Sequence, residues 1–502
     1  MIQGGGPRRP PPLRGLASSN LSPNPNPLKT ELNTTSLGSI REDGSKKILH
    51  PADVSGFFTK WRRIVALGLI AVYVALPWIP VGGFPAVFLD AVNRRFHFFG
   101  LTLATQDLWV FFFLVTGLGF SLFYVTALFG RVWCGWTCPY TVFLEHVFRR
   151  IERLIDGDSP ARRQLDKAPW TTGKIVRRVL KHGLYLLMAT LIAHVFLSYF
   201  VSIKGLYEMM QQSPEGHAFA FSVVAFLTVV LYFCFSWFRE QFCVIMCPYG
   251  RLQSALSDDN TVIIGYDKKR GEPRGRANDP NAGDCVSCNR CVQVCPTGID
   301  IRNGLQLECI GCAACVDACG DIMKKLGRKP GLIRYDSYVG LGGGKTKFIR
   351  PRIILYSMLL AVGATAFAFA ATHISPMYGV VLRMPGSTYF EASGELKNQF
   401  LVRLINKRNE PRSFRFALEG DVPAGLKASG TETSLTIPGQ KEEVRPLVLS
   451  MPADKYAKPY KMVIRITDEV SGATMTTRPL EFVGPNPKLK DNGYLDAKQY
   501  LR

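Results

Sequence analysis

Acidic residues are scarce in this 502-residue chain. Asp and Glu number 39 against 61 Lys and Arg, a formal net charge of +22. An excess of that size excludes an acidic protein and leaves two explanations: a polyanionic partner, or the charge asymmetry of a membrane protein. Charge is missing entirely from residues 64–89, 108–130, 218–238 and 353–372, and residues 183–203 hold only His194. About 20 apolar residues cross the hydrocarbon core, so these are five expected spans, and no nucleic-acid partner is expected. No apolar run precedes Lys60, so no signal peptide is expected. No cysteine lies in residues 376–485, which excludes an immunoglobulin-type disulfide there. No catalytic triad or nucleotide fingerprint occurs. The run from Gly340 to Thr346 (G-L-G-G-G-K-T) is one residue short of P-loop spacing and reads as a flexible basic linker.

Cysteine is what the chain does have. Eight of its 13 cysteines fall between Cys285 and Cys319. Cys285, Cys288, Cys291 and Cys295 follow the pattern C-x-x-C-x-x-C-x-x-x-C-P, ending at Pro296. Cys309, Cys312, Cys315 and Cys319 repeat it, with Gly320 in the proline's place. This is the run of two-cluster ferredoxins, in which the fourth cysteine of each set serves the other cluster. Cys285, Cys288, Cys291 and Cys319 are therefore assigned to one [4Fe–4S] cluster, and Cys309, Cys312, Cys315 and Cys295 to a second. Zinc sites take four ligands and rarely pack eight cysteines at this density. Disulfides do not repeat such a spacing, and a reducing compartment disfavours them.

Four further cysteines form a second repeat. Cys134 and Cys138 precede Pro139-Tyr140, and Cys243 and Cys247 precede Pro248-Tyr249. Each C-x-x-x-C-P-Y follows an apolar span, with an arginine upstream (Arg131, Arg239). A helical backbone would put both sulfurs of a pair on one face, and each proline suits the first turn of a new helix. Four thiolates meeting at the membrane surface make a soft site for Cu(I), zinc or an iron–sulfur centre. Residues 141–155 read as an amphipathic helix with Arg149, Arg150 and Arg153 at the lipid headgroups. Cys234 reads as a small buried hydrophobe. Glu145 and His146 read as helix surface and His373 as interfacial; His194 suits either a haem, copper or quinone site or a hydrogen-bonded interhelical role, and with His182, twelve residues away, it does not establish a haem.

Positive charge orients the spans. Ten Lys and Arg precede the first span, 11 lie between Arg131 and Lys181, and residues 239–352 are heavily basic. The cysteine run is then cytoplasmic and the carboxyl-terminal region periplasmic. Short alternating runs at 400–405, 413–418, 434–437, 444–449 and 462–467 suggest an antiparallel β sandwich.

Together, the paired C-x-x-x-C-P motifs, the doubled ferredoxin run and the exterior β region resemble the FixG/RdxA/CcoG family, accessory proteins for assembly of cbb3-type cytochrome c oxidase. The resemblance covers about residues 55–485. It implies a multi-pass inner-membrane protein that reduces Cu(II) to Cu(I) for the oxidase copper centre. It also implies that Cys134, Cys138, Cys243 and Cys247 handle copper or its electrons, and that the carboxyl-terminal sandwich is immunoglobulin-like. The expected fold is a multi-domain membrane protein: an α-helical bundle of about five spans, an inserted two-cluster ferredoxin-like α+β domain and an all-β immunoglobulin-like sandwich. The expected division is a disordered leader 1–60, a four-span region 61–238, a ferredoxin-like segment 239–352, a fifth span 353–372, a sandwich 376–485 and a tail 486–502. Expected partners are lipid, copper ions, oxidase subunits or copper chaperones and an electron donor, with a homo-oligomer open. The alternative functions are a ferredoxin relaying electrons between quinol and another reductase, and a non-enzymatic assembly scaffold.

Overall fold

The computed structural model describes residues 48–485 apart from 92–93, 105–106, 373–374, 376, 409 and 431–433. Most of the leader, His373 and the tail lie outside the described residues. Five helices are long and apolar enough to cross a membrane: Phe57–Trp78, Trp109–Phe129, Thr172–Leu197, Pro214–Phe238 and Pro351–Thr372, here spans one to five. Span two packs on span five, and span three on span four. Outward faces are apolar, with Phe112, Phe226 and Val362 more than 60% exposed. Surface of that kind is stable only against lipid, so this is a membrane protein.

Two boundaries differ from the sequence expectation. Span one begins at Phe57, and the nine residues before it are folded: Leu49 is buried, and Ala52 N–H donates to the Gln293 carbonyl at 2.8 Å. Residues 49–60 of the expected 1–60 leader are therefore packed on the protein. Span three starts at Thr172, well before its uncharged stretch. Its early lysine, Lys181, stays in the helix because its ammonium meets Asp156 at 2.6 Å.

The ferredoxin segment sits at one end of the bundle. It is pinned by a two-stranded sheet, Ile263–Tyr266 paired with Ile333–Asp336, and by the helix Ala314–Lys325. Val262 N–H donates to the Leu128 carbonyl at 2.9 Å, so the sheet begins against the last turn of span two. Asp317, on the Ala314–Lys325 helix, caps span one. Its carboxylate accepts from Thr59 N–H and Thr59 Oγ1, both at 2.7 Å, and from Phe58 N–H at 3.2 Å. A carboxylate there satisfies orphan donors and sits at the positive end of the helix dipole.

A buried ionic layer lies just inside this junction. Arg239, at the foot of span four, grips Glu152 through two nitrogens at 3.3 and 3.1 Å. Arg162 reaches the same carboxylate at 3.3 Å. Arg149 donates to Glu240 and to the Pro296 carbonyl, both at 3.0 Å. Arg149 was expected at the lipid headgroups with Arg150 and Arg153. It is instead only 5% exposed, because two glutamates and a carbonyl inside the protein satisfy it.

The β region occupies the other end. A three-stranded antiparallel sheet, Val87–Asp90, Arg95–Phe98 and Leu101–Ala104, joins spans one and two. Lys407 of the carboxyl-terminal domain holds Asp107, at the start of span two, at 2.9 and 2.7 Å. That domain is two five-stranded antiparallel sheets. The expected runs fall in strands Glu395–Asn406, Arg412–Gly420, Leu435–Ile437, Glu442–Pro452 and Tyr460–Asp468. Met462, Ile464 and Ile466 alternate into the core between the sheets.

The ionic layer predicts acid sensitivity. Burial alone would raise the Glu152 carboxyl, but Arg239, Arg162 and Lys181 overcome it and hold it down at about 2. Its pKa is lowered by folding, so its contribution is complete above the unfolded value near 4.5 and is lost as pH falls towards 2. The loss is on the order of 3 kcal/mol. Thermal melting in detergent between pH 6 and pH 2.5 should show that loss. Glu152→Gln should melt lower throughout, with a flatter pH profile. A second test is Asp317→Ala, which should cost about 1 kcal/mol through the lost cap.

Candidate electron-transfer site

The two ferredoxin loops are folded alike. In the first, Ser287 and Asn289 have φ of 54° each. At the same two positions of the second, Gly311 and Ala313 have φ of 65° and 59°. Non-glycine residues rarely adopt this conformation, which costs about 1–3 kcal/mol. It turns successive N–H groups to one side, the concavity found at many iron–sulfur sites. Cys285, Cys288, Cys291 and Cys319 line one small cavity together. Cys309, Cys312 and Cys315 lie within charge–charge range of Cys295.

Burial pushes Cys291 and Cys309 up to about 12 and Cys319 to about 11. Bare thiolates are disfavoured there, and the positive charge of iron offsets that penalty. The donor set, its doubling and the inward amides fit two iron–sulfur clusters. Gly320, in the proline's place, falls inside the Ala314–Lys325 helix, where a proline would break the backbone hydrogen bonds.

The second cysteine repeat is not one continuous helix per pair. Cys134 lies on the short helix Val132–Trp136 and Cys243 on the turn Phe242–Met246. Cys138 and Cys247 are N-cap residues, and Pro139 and Pro248 open the following helices. Both chain reversals start alike: Gly130 (φ 54°, ψ −125°) and Arg239 (φ 49°, ψ −127°) each stand four residues before the first cysteine. Arg239 therefore corresponds to Gly130, not to Arg131, and its bonds to Glu152 hold a conformation that glycine adopts freely.

The repeats exchange tyrosines. Tyr140 donates to the Cys234 and Arg239 carbonyls of span four at 3.0 and 2.6 Å. Tyr249 shares a hydrogen bond with Thr126 of span two. This interlock brings the four thiols into one neighbourhood: Cys134 lies within charge–charge range of Cys138 and Cys247, and Cys243 of all three others. Burial pushes both Cys134 and Cys243 up to about 12.

The quartet abuts the second ferredoxin loop. Cys134 packs in the apolar cluster that holds Ile310, Cys312 and Cys315. Gly135 lies so close that a Cβ would stand 2.5 Å from the Ile310 carbonyl oxygen and 2.9 Å from Cys312 Cα. Arg131 bridges both sides, donating to the carbonyls of Leu307 and Gly250. Trp136 Nε1 donates to the Tyr335 hydroxyl at 3.1 Å, and Tyr335 donates to the Gly311 carbonyl.

Other residues singled out in the sequence fall elsewhere. Glu145 is committed to Arg149 and Arg62. His146 lines an arginine-rich pocket, where burial holds its imidazole down at about 4. His194 bonds the Thr190 carbonyl of its own helix, and His182 bonds Tyr232. Cys234 stays within span four. The Gly340–Thr346 amides are used in local turns: Gly340 N–H bonds Ser337 Oγ, and Gly344 N–H bonds the Val339 carbonyl. Among the described residues, no three His, Cys, Asp or Glu side chains converge as one metal ion requires. A single ion with sulfur ligands at about 2.3 Å draws them to about 3.8 Å from one another.

Known proteins agree with this arrangement. A family model for a 4Fe–4S dicluster domain matches residues 238–338, and one for a 4Fe–4S binding domain matches residues 107–156. A third, for the immunoglobulin-like fold at the carboxyl terminus of FixG, matches residues 367–485. The ferredoxin-type protein NapH of Haemophilus influenzae is 24% identical, covering 53% of this chain and 87% of its own. Fold, clusters and spans together define a membrane-bound iron–sulfur electron-transport protein. The nitrogen fixation protein FixG of Rhizobium meliloti is 32% identical over 82% of this chain and 88% of its own. The protein RdxA of Cereibacter sphaeroides is 35% identical over 76% and 84%. The chain belongs to the FixG/RdxA family.

Two glycines test the packing. Gly135→Ala must push the second ferredoxin loop away from the quartet and should cost about 1–3 kcal/mol in thermal stability. Gly320→Ala meets nothing within 4 Å and should stabilise by about 1 kcal/mol, whereas Gly320→Pro should cost about 3 kcal/mol.

Proposed function

We propose that this protein carries electrons across its ferredoxin segment to the Cys134, Cys138, Cys243 and Cys247 quartet, where Cu(II) is reduced to Cu(I) for a cbb3-type oxidase. The observation that carries this reading is the contact of the quartet with the Ile310–Cys312 loop. When bound, the two clusters supply single electrons at that loop. The chain's own residues do the rest. Arg131 and Gly135 hold the quartet against the loop. Tyr140 and Tyr249 keep the two cysteine pairs facing each other. Soft thiolates favour Cu(I) over Cu(II), which pulls the one-electron reduction forward. The basic flanks of the ferredoxin segment support an orientation in an inner membrane with that segment on the cytoplasmic side and the immunoglobulin-like domain on the periplasmic side. There that domain would meet oxidase subunits or a copper chaperone.

A second reading rests on the match of residues 107–156 to a 4Fe–4S binding model and on the absence, among the described residues, of ligands spaced for a single ion. On it, the quartet holds a further iron–sulfur centre and relays electrons to another reductase. Anaerobically purified protein distinguishes the two. Copper reduction predicts about eight iron atoms per chain, unchanged in the quadruple Cys→Ser variant of the quartet. It also predicts stoichiometric Cu(I) from pre-reduced protein, trapped by a Cu(I)-specific chelator and lost in that variant. The relay predicts about 12 iron atoms, falling to about eight in the variant, with clusters that stay reduced in Cu(II).

A further inference from the structure

A second cavity borders the second ferredoxin loop and shares Arg131, Gly311 and Tyr335 with the seam described above. It encloses about 280 Å³ between the foot of span two and the second loop. Its walls include Phe129, Gln253, Asp258, Cys309, Tyr335 and Tyr338. We propose that it binds the head group of a membrane-soluble hydroquinone, the electron donor of this protein. The proposal rests on the reading that the chain moves electrons, and it names where they enter.

Three observations carry it. The first is depth. The cavity lies where the Arg350 guanidinium donates to the Ala127 carbonyl at 2.6 Å and Val262 N–H to Leu128, the level at which span two leaves the bilayer. Phe129 and Leu307, in its wall, are 43% and 37% exposed. A tail dissolved in lipid can therefore lie along an apolar edge while its ring enters. The second is lining. Phe129, Ile263 and Ile264 give it an apolar wall, Gln253, Asp258 and Arg131 a polar one, and its volume lies near the lower end of small-molecule sites, about 300–1,000 Å³. That suits one substituted ring whose hydroxyls meet polar groups at the edge of an apolar wall.

The third is an unanswered polar group. Gln253 is 4% exposed, and its Oε1 accepts no hydrogen bond. A buried acceptor without a donor costs about 1–3 kcal/mol. A hydroquinone hydroxyl is the donor that a flat, lipid-soluble ring can bring. Ser257, beside it, already bonds the Gln253 carbonyl at 3.2 Å and does not compete.

Oxidation of one hydroquinone releases two electrons and two protons. The acceptors, by class, are the two ferredoxin-type clusters, one electron each, and Cys309 in the wall belongs to the set assigned to one of them. The protons pass to the rim carboxylates of Asp258 and Asp259 and from there to water.

The test uses full-length, cluster-containing protein in lipid nanodiscs and a short-chain azido-benzoquinone as photolabel. Saturable label is expected in peptides covering residues 253–264 or 305–311. Gln253→Leu should raise the half-labelling concentration at least tenfold. Ser257→Phe, which fills the cavity, should abolish the label, with cluster absorbance reporting that each variant is folded. Label that does not saturate, falls elsewhere or persists in Ser257→Phe overturns the proposal. Wild-type protein that reduces Cu(II) after dithionite treatment while its cavity stays unlabelled sinks the donor site alone. Failure of both sinks the reading beneath it.

Discussion

The Arg239–Glu152 pair is the constraint on which the rest of the architecture at the ferredoxin end depends. Arg239 holds a backbone conformation that a side chain rarely adopts, and the two bonds to Glu152 keep it there. From that point the chain reverses into the second cysteine pair. Glu152 also takes Arg162, and Arg149 joins Glu240 to the carbonyl of Pro296, the residue after Cys295. A buried ion pair gives little net stability, because desolvation offsets the attraction, yet removing one partner leaves an uncompensated charge. The network therefore acts as a registration device. It aligns the feet of spans three and four with a ferredoxin loop more than it strengthens any one element.

Duplication explains the symmetry of what is aligned. Two ferredoxin loops share backbone conformations, and each has the last cysteine of the other beside its first three. Two membrane motifs share a reversal and lend each other a tyrosine. In both cases a residue of one repeat stands beside the other, so neither half completes its site alone. Close backbone contact at Gly135 then joins the two duplicated units, with Arg131 stapling across the seam.

Much of this was legible in the sequence. Three ligands of each cluster come from one tight loop, so their spacing is a local property, and both runs of four cysteines can be read directly. The five spans follow from length and the absence of charge. The β domain shows in alternations such as Met462, Ile464 and Ile466. What local pattern cannot encode is contact between distant residues. Tyr140 meets span four 94 residues away, and Arg149 meets Pro296 at a separation of 147. Arg149 looked like a headgroup-facing arginine because its partners are remote. Lys181 hid the true start of span three for the same reason. The Val87–Ala104 sheet was missed because its strands are only four residues long.

The cap on span one sets an order of events during biosynthesis. Thr59 and Asp317 are 258 residues apart, so the first span enters the bilayer long before its cap is translated. Until then its first amides are bonded only to water. Asp317 lies between Cys315 and Cys319, on a helix whose cysteines are assigned to different clusters. Its position is therefore settled only when both ferredoxin loops have closed. Metal loading and the seating of the first transmembrane helix become one late step. A chain starved of iron is then expected to keep its spans in the membrane but to leave the first of them without its cap.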